Sequence, residues 1–222
     1  MSLKVSEIFY SIQGEGSRSG RPCLFVRLTG CPVRCTYCDT AYAFYKGNIM
    51  EINEIVDRIV SIIDLPRLGP NAPFVELTGG EPLAQSDAIP LLTALVNLGY
   101  EVALETAGSH DISLVPHSVV KIVDRKTPDS GAVQHWLESN LEFIIQGQDE
   151  LKFVLCSCND YFWSKHWCET RCVFDRLNII FSPAWGRLDA AWLAERILQD
   201  AVPVRFQLQL HKLVWGPDKC GV

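Results

Sequence analysis

Nowhere in its 222 residues does the chain hold the roughly 20 consecutive apolar residues of a membrane-crossing helix. The opening stretch Met1-Ser2-Leu3-Lys4-Val5-Ser6-Glu7 lacks the apolar centre of a signal peptide. Positive charge is not in excess: 20 Lys and Arg stand against 26 Asp and Glu, a formal net charge of -6. That balance gives no bulk attraction to nucleic acid or to an anionic membrane surface. Internal repeats, low-complexity tracts and linker-like stretches are absent as well. The expectation is a cytoplasmic chain that meets a small molecule or a protein, with no nucleic-acid and no membrane partner.

Against these absences stand 48% hydrophobic residues, enough for a sizeable core, and an ordinary 21% charged fraction. The length suits one domain, 1–222. Nine cysteines without an export signal read as reduced thiols and metal ligands rather than disulfides.

Apolar runs at 23–28, 74–77, 101–104, 119–123, 151–155, 177–181 and 204–210 read as strands. Helical spacing marks 52–63, where Ile52, Ile55, Val56, Ile59, Val60 and Ile63 share a face, and 88–98, with Gly99 as its stop. Helical stretches are also expected at 133–145 and 190–198. Alternation of this kind indicates an α/β fold with a mainly parallel sheet. In such sheets ligands gather at the carboxyl ends of the strands. The runs at 23–28, 74–77, 101–104 and 119–123 are followed by the cysteine loop, Thr78-Gly79-Gly80, Glu105-Thr106-Ala107-Gly108 and Asp124-Arg125-Lys126. Successive strand ends would therefore face one cleft.

The cysteine loop, Gly30-Cys31-Pro32-Val33-Arg34-Cys35-Thr36-Tyr37-Cys38-Asp39, carries three thiols spaced Cys-x3-Cys-x2-Cys. A structural zinc site takes four protein ligands, and so does a ferredoxin-type cluster. Three thiols can hold three irons of a cubane and leave one corner open. The bland alternative is a zinc-binding module completed by Cys23 or a histidine. Cys156, Cys158, Cys168 and Cys172 form a possible second thiol group, but their spacings match no zinc or cluster pattern.

The triplet, with Tyr37 before its last cysteine, resembles the signature of the radical S-adenosylmethionine superfamily. Thr78-Gly79-Gly80-Glu81-Pro82 resembles that superfamily's glycine turn. Glu7-Ile8-Phe9-Tyr10-Ser11-Ile12-Gln13-Gly14-Glu15-Gly16, Phe25-Val26-Arg27-Leu28, Cys38-Asp39-Thr40, Glu105-Thr106-Ala107-Gly108 and Gln209-Leu210-His211-Lys212 are similar to the 7-carboxy-7-deazaguanine synthases of the queuosine pathway. The likeness runs from about residue 5 to about 212.

This resemblance implies a partial or compacted (β/α) barrel with a [4Fe-4S] cluster on Cys31, Cys35 and Cys38. It implies S-adenosylmethionine lined by Tyr37, Cys38, Asp39, Gly80, Glu81, Asp124, Arg125 and Lys126, and Mg2+ at Thr40. Ile12, Gln13, Gly14, Glu15, Arg27, Thr78 and His211 would contact a pterin substrate, with Arg27 on its carboxylate and Glu15 on its amino-pyrimidine edge. Ser182-Pro183 would border the cofactor. The implied activity converts 6-carboxy-5,6,7,8-tetrahydropterin to 7-carboxy-7-deazaguanine with loss of ammonia. A flavodoxin-type electron donor and a homodimer are expected on the same ground. Some members end about six residues after the histidine, with the terminal carboxylate in the site; this chain departs from that pattern and continues through Trp215, Gly216 and Pro217 to Val222. An activase that installs glycyl radicals shares the triplet and the glycine turn and is the rival enzyme reading.

Overall fold

The structure is a computed structural model that describes residues 1–63 and 72–222. Among the described residues nine strands form one sheet: β1 (Ser2–Ile12), β2 (Pro22–Leu28), β3 (Asn48–Glu51), β4 (Phe74–Gly79), β5 (Val102–Thr106), β6 (Val120–Asp124), β7 (Glu150–Leu155), β8 (Asn178–Pro183) and β9 (Arg205–Phe206). Their order is β3-β1-β2-β4-β5-β6-β7-β8-β9. The pairs β1–β2 and β1–β3 are antiparallel, and every step from β2 to β9 is parallel. The sheet is open, as expected for a partial barrel.

Period two along each strand sorts the side chains between two faces. Leu24, Val26, Leu28, Val75, Leu77, Leu104, Val123, Leu151, Phe153, Leu155, Ile179 and Phe181 face the helices and form the main core. The other face is divided along its length. Its amino-terminal half is mostly apolar, with Cys23, Phe25, Phe74, Ala103, Val120 and Ile122, interrupted by buried Glu76 and Glu150. Its carboxyl-terminal half carries Arg27, Thr78, Glu105, Asp124 and Lys152, all lining one cavity. Apolar floor and polar mouth thus follow from position along the strand.

The helices α1 (Ile52–Ile62), α2 (Ala88–Asn97), α3 (Cys158–Thr170) and α4 (Ala190–Gln199) cover the outer face, and α5 (Leu210–Trp215) follows β9. Helix α1 starts at a reciprocal capping box between Glu51 and Glu54. Helices α3 and α4 are capped by Ser157 and Asp189, which accept from Asp160 N and Trp192 N.

Several elements differ from expectation, among them β3, α3 and α5, which were not expected. The stretch 133–145 is not a helix but two 3-10 turns, Val133–His135 and Glu138–Phe143. Buried Asn140 explains this: its amide donates to Gly108 O and His110 O and accepts from Ile112 N, tying the stretch to the loop after β5. The strand expected over 204–210 is limited to Arg205–Phe206, because Gln207 and Leu210 turn away to bond the loop at Gly14–Gly16. Strand β1 was not expected at all. A register shift between Val5 and Glu7 puts Leu3 and Val5 in the outer core, yet also sends Ile8 there and Phe9 to the inner face, so strict alternation is lost.

Candidate active site

One cavity of about 540 Å³ opens at the carboxyl ends of β2, β4, β5, β6 and β7. It collects most of the residues singled out from sequence: Ile12, Gln13, Gly14, Glu15, Arg27, Cys31, Cys35, Tyr37, Cys38, Asp39, Thr40, Thr78, Gly80, Asp124, Lys126 and His211. Glu105 and Thr106 join them. So does the final stretch, Pro217 to Val222.

The cysteine loop leaves β2 and is held from outside by Thr36. Its N–H donates to Ser130 O at 2.9 Å and its hydroxyl to Asp129 O at 3.0 Å, while Arg187 donates to its carbonyl and hydroxyl oxygens. Cys31, Cys35 and Cys38 are free, partly exposed thiols. Burial pushes the Cys35 thiol up to about 11, with Lys126 opposing. Among the described residues no three His, Cys, Asp or Glu groups gather as a site for one metal ion; the sulfurs share a loop and a cavity wall instead. The turn after β4 is packed directly on this loop. A Cβ at Gly80 would lie 2.2 Å from Gly30 O and 2.7 Å from Cys31 Cβ.

Two sequence-derived assignments are corrected here. Glu81 does not face the cavity: it is fully buried, and its carboxylate accepts from Leu83 N, Thr106 Oγ1 and Ala107 N. A carboxylate supplied this way by its own chain shapes the turn and has little left for a cofactor. Arg125 also points elsewhere. Its guanidinium lies over Trp136, Trp163 and Trp167 at 4.9–5.5 Å and donates to Lys126 O and Val133 O. Burial lowers its pKa to about 10. It anchors the loop after β6 and does not line the cavity. Ser182 is buried on the inner face beside Val154 and does not line the cavity, where Ala184 and Trp185 do.

On the side of the cysteine loop, Lys126 Nζ bonds Asp124 Oδ2 at 2.7 Å and lies 5.6 Å from the Tyr37 ring. Burial works against the Lys126 charge, but Asp124, Tyr37 and Cys35 hold its pKa well above the ordinary value. Asp124 Oδ1 and Tyr37 Oη are buried with no hydrogen-bond partner among the described residues. The donor set therefore fits the implied groups. Three thiols suit iron, Gly80 gives backbone access, and two orphaned polar atoms await a ligand carrying amines and hydroxyls. Thr40 Oγ1 lies 3.6 Å from Cys38 Sγ; as one hydroxyl it suits a Mg2+ ion that keeps most of its water.

On the opposite side, Arg27 pairs with Glu7 through Nε at 2.8 Å and stacks 5.5 Å over Phe9. Glu7 also accepts from Tyr42 Oη at 2.6 Å. No hydrogen bond occupies the terminal nitrogens of Arg27 among the described residues, which leaves a fork for a carboxylate. The buried Gln13 amide is committed within the protein, donating to Glu76 and accepting from Glu15 N at 3.1 Å. A Cβ at Gly14 would lie 2.2 Å from His211 Nδ1, so only glycine allows this histidine to close over the loop.

Sequence reading missed Lys152, Gln209 and the tie between Lys212 and Asp39. Lys152 is almost fully buried and pairs with Glu15 at 2.7 Å and with Glu105. Gln209 donates to the other Glu15 oxygen at 2.9 Å. Burial would raise the Glu15 pKa, but Lys152 and His211 together bring it down to about 2. Lys212 bonds Asp39 at 2.6 Å and so joins α5 to the cysteine loop. The one available signal for Lys152 was a charge inside the apolar run Leu151-Lys152-Phe153-Val154-Leu155. The four cysteines Cys156, Cys158, Cys168 and Cys172 do not converge: Cys156 packs with Val154 and Ala184, and Cys168 lies in the main core.

Comparison with known proteins agrees with this geometry. Residues 25–124 match the model of the radical SAM superfamily. A 7-carboxy-7-deazaguanine synthase of Chlorobaculum tepidum is 44% identical over 99% of this chain and 97% of its own length. One from Koribacter versatilis is 38% identical over 99% of this chain and its whole length. In fold, the chain resembles the crystal structure of QueE from Escherichia coli, with a TM-score of 0.73 at 22% identity, covering 93% of this chain and 94% of that one. With full-length relatives at these identities and the cysteine loop set beside Arg27 and Glu15 in one cavity, the chain belongs to the 7-carboxy-7-deazaguanine synthase family, within the radical SAM superfamily.

Proposed function

We propose that this chain converts 6-carboxy-5,6,7,8-tetrahydropterin to 7-carboxy-7-deazaguanine and ammonia. The observation that carries the proposal is the single cavity that sets the cysteine loop, the Arg27 fork and the Glu15–Glu105 carboxylates around one small volume. The reaction balances without an external oxidant, since product plus ammonia contain all the substrate's atoms. When bound, the cluster and S-adenosylmethionine supply a 5'-deoxyadenosyl radical able to take hydrogen from C6 of the pterin.

The protein's own residues supply position and charge. Cys31, Cys35 and Cys38 hold the cluster, while Tyr37, Asp39, Gly80, Asp124 and Lys126 line the S-adenosylmethionine. Arg27 grips the substrate carboxylate through its terminal nitrogens, and Glu7 and Phe9 hold that guanidinium still. Glu15 accepts from the amino-pyrimidine edge at the far end, with Thr78 and His211 alongside. Two charged anchors at opposite ends orient the ring and keep its C6 towards the cysteine loop, the proximity contribution to catalysis. Thr40 would hold a Mg2+ ion, which would supply positive charge to the substrate carboxylate. A flavodoxin-type reductant, a homodimer and a cytoplasmic setting belong to the same reading and rest on family resemblance.

The test is anaerobic incubation of reconstituted, reduced protein with S-adenosylmethionine, Mg2+ and the carboxytetrahydropterin, followed by mass spectrometry. Carboxydeazaguanine is the expected product. Release of 5'-deoxyadenosine without it would retain the superfamily chemistry and overturn the substrate.

A further inference from the structure

One buried cation in the cavity wall has no part in the reading above. Lys152 stands on the inner face of β7, in register with Asp124 of β6, with only 3% of its side chain exposed. Three carboxylates from three different segments surround its ammonium. Glu15, from the loop after β1, is at 2.7 Å, Glu105 of β5 is in hydrogen-bond contact, and Asp124 of β6 is at 3.7 Å. Asp124 has a second cation, Lys126; Glu105 has none among the described residues. Glu105 is further crowded by the buried carboxyl of Glu76 on β4. On the remaining sides Glu15 meets Gln209 and His211.

We propose that Lys152 is the positioning residue that holds Glu15 and Glu105 side by side as ionised acceptors for the amino-pyrimidine edge of the substrate. The proposal rests on the pterin reading above and extends it to the residue that sets recognition at that end. Two carboxylates turned into one cavity repel each other, and a single ammonium with three donors bridges them. Each oxygen of Glu15 receives one protein donor, Lys152 on one and Gln209 on the other. A carboxylate oxygen has capacity for a further donor, so both remain able to accept from a ring N–H or amino group. A neutral carboxylic acid would place an O–H where the substrate also brings a donor. Burial raises the Glu15 pKa, and Lys152 is the strongest of the groups that lower it. Losing the lysine therefore moves Glu15 towards the protonated form.

The experiment measures binding of the carboxytetrahydropterin to cluster-loaded protein without reductant or S-adenosylmethionine, from about pH 6 to about pH 9. Wild type, Lys152→Met and Lys152→Gln are compared at each pH, so that any pH effect common to all three cancels. Lys152→Gln keeps a neutral donor for Glu15 and guards against loss of folding in the methionine variant. The expected result is affinity about tenfold or more below wild type at neutral pH, the loss shrinking as pH rises and Glu15 ionises again. Variant affinity equal to wild type, or a loss that does not change with pH, would overturn the proposal. A wild type that does not bind the pterin would overturn the substrate reading, and this proposal with it.

Discussion

Replacing Gly80 by alanine tests how the glycine turn and the cysteine loop depend on each other. The Cβ would start 2.2 Å from Gly30 O, 2.6 Å from Gly30 C and 2.7 Å from Cys31 Cβ. Ordinary contact begins near 3.4 Å, so Gly30 must retreat by about 1.2 Å, the gap between 2.2 and 3.4 Å. None of these three atoms is the end of a flexible side chain. The two segments are also stitched by Glu81 N to Gly30 O at 2.9 Å and Gly80 N to Leu28 O at 3.2 Å. Overpacking of this kind costs about 1–3 kcal/mol. Gly80 does not use the left-handed backbone region, so alanine recovers about 0.4–1 kcal/mol from the unfolded chain. The clash wins, for a net loss of about 1 kcal/mol and a melting midpoint lowered by about 2–4 °C. Because Cys31 directly follows Gly30, the retreat also misplaces the first of the three proposed cluster ligands. Thermal unfolding of the metal-free protein and iron content after anaerobic reconstitution read the two effects separately. Gly20→Ala is the control: its φ of +90° carries a backbone cost, but nothing lies within 4 Å of the new methyl, so iron loading should stay complete. A Gly80→Ala protein with wild-type midpoint and full iron would refute this account of the turn.

Arg27→Lys keeps the charge opposite Glu7 but loses the planar fork, so affinity for the carboxypterin should fall about tenfold while the melting midpoint barely moves. Calorimetric binding equal to wild type would remove the bidentate grip. Asp160→Ala leaves Asp129 N and Cys156 N without their acceptor and Thr127 Oγ1 with Val154 O alone, a loss of about 3 kcal/mol, or about 6–12 °C. Since Asp129 and Ser130 hold Thr36, hydrogen exchange at the Thr36 amide should also accelerate; unchanged exchange would show that the loop is secured elsewhere.

Much of this protein is legible in the chain itself, because the relevant interactions are local. Cys31, Cys35 and Cys38 lie within eight residues, and the strand–helix alternation follows from apolar spacing over a few turns. Those facts alone place the cysteine loop, the Gly79–Gly80 turn and Asp124 at strand ends facing one cleft. Helix α3 was not legible, because its buried stripe includes the polar residues Asp160 and Ser164 beside Tyr161, Trp167 and Cys168. The roles of Glu81 and Arg125 could not be read either. Both stand in motifs that line the site, yet Thr106 and Ala107 claim the first and three tryptophans the second. Lys152 is the plainest case. Its partners Glu15 and Glu105 are 137 and 47 residues away in sequence. Spacing within a segment is written in the sequence, but which charges meet in a buried cavity depends on strand order and register, which exist only once the sheet has formed.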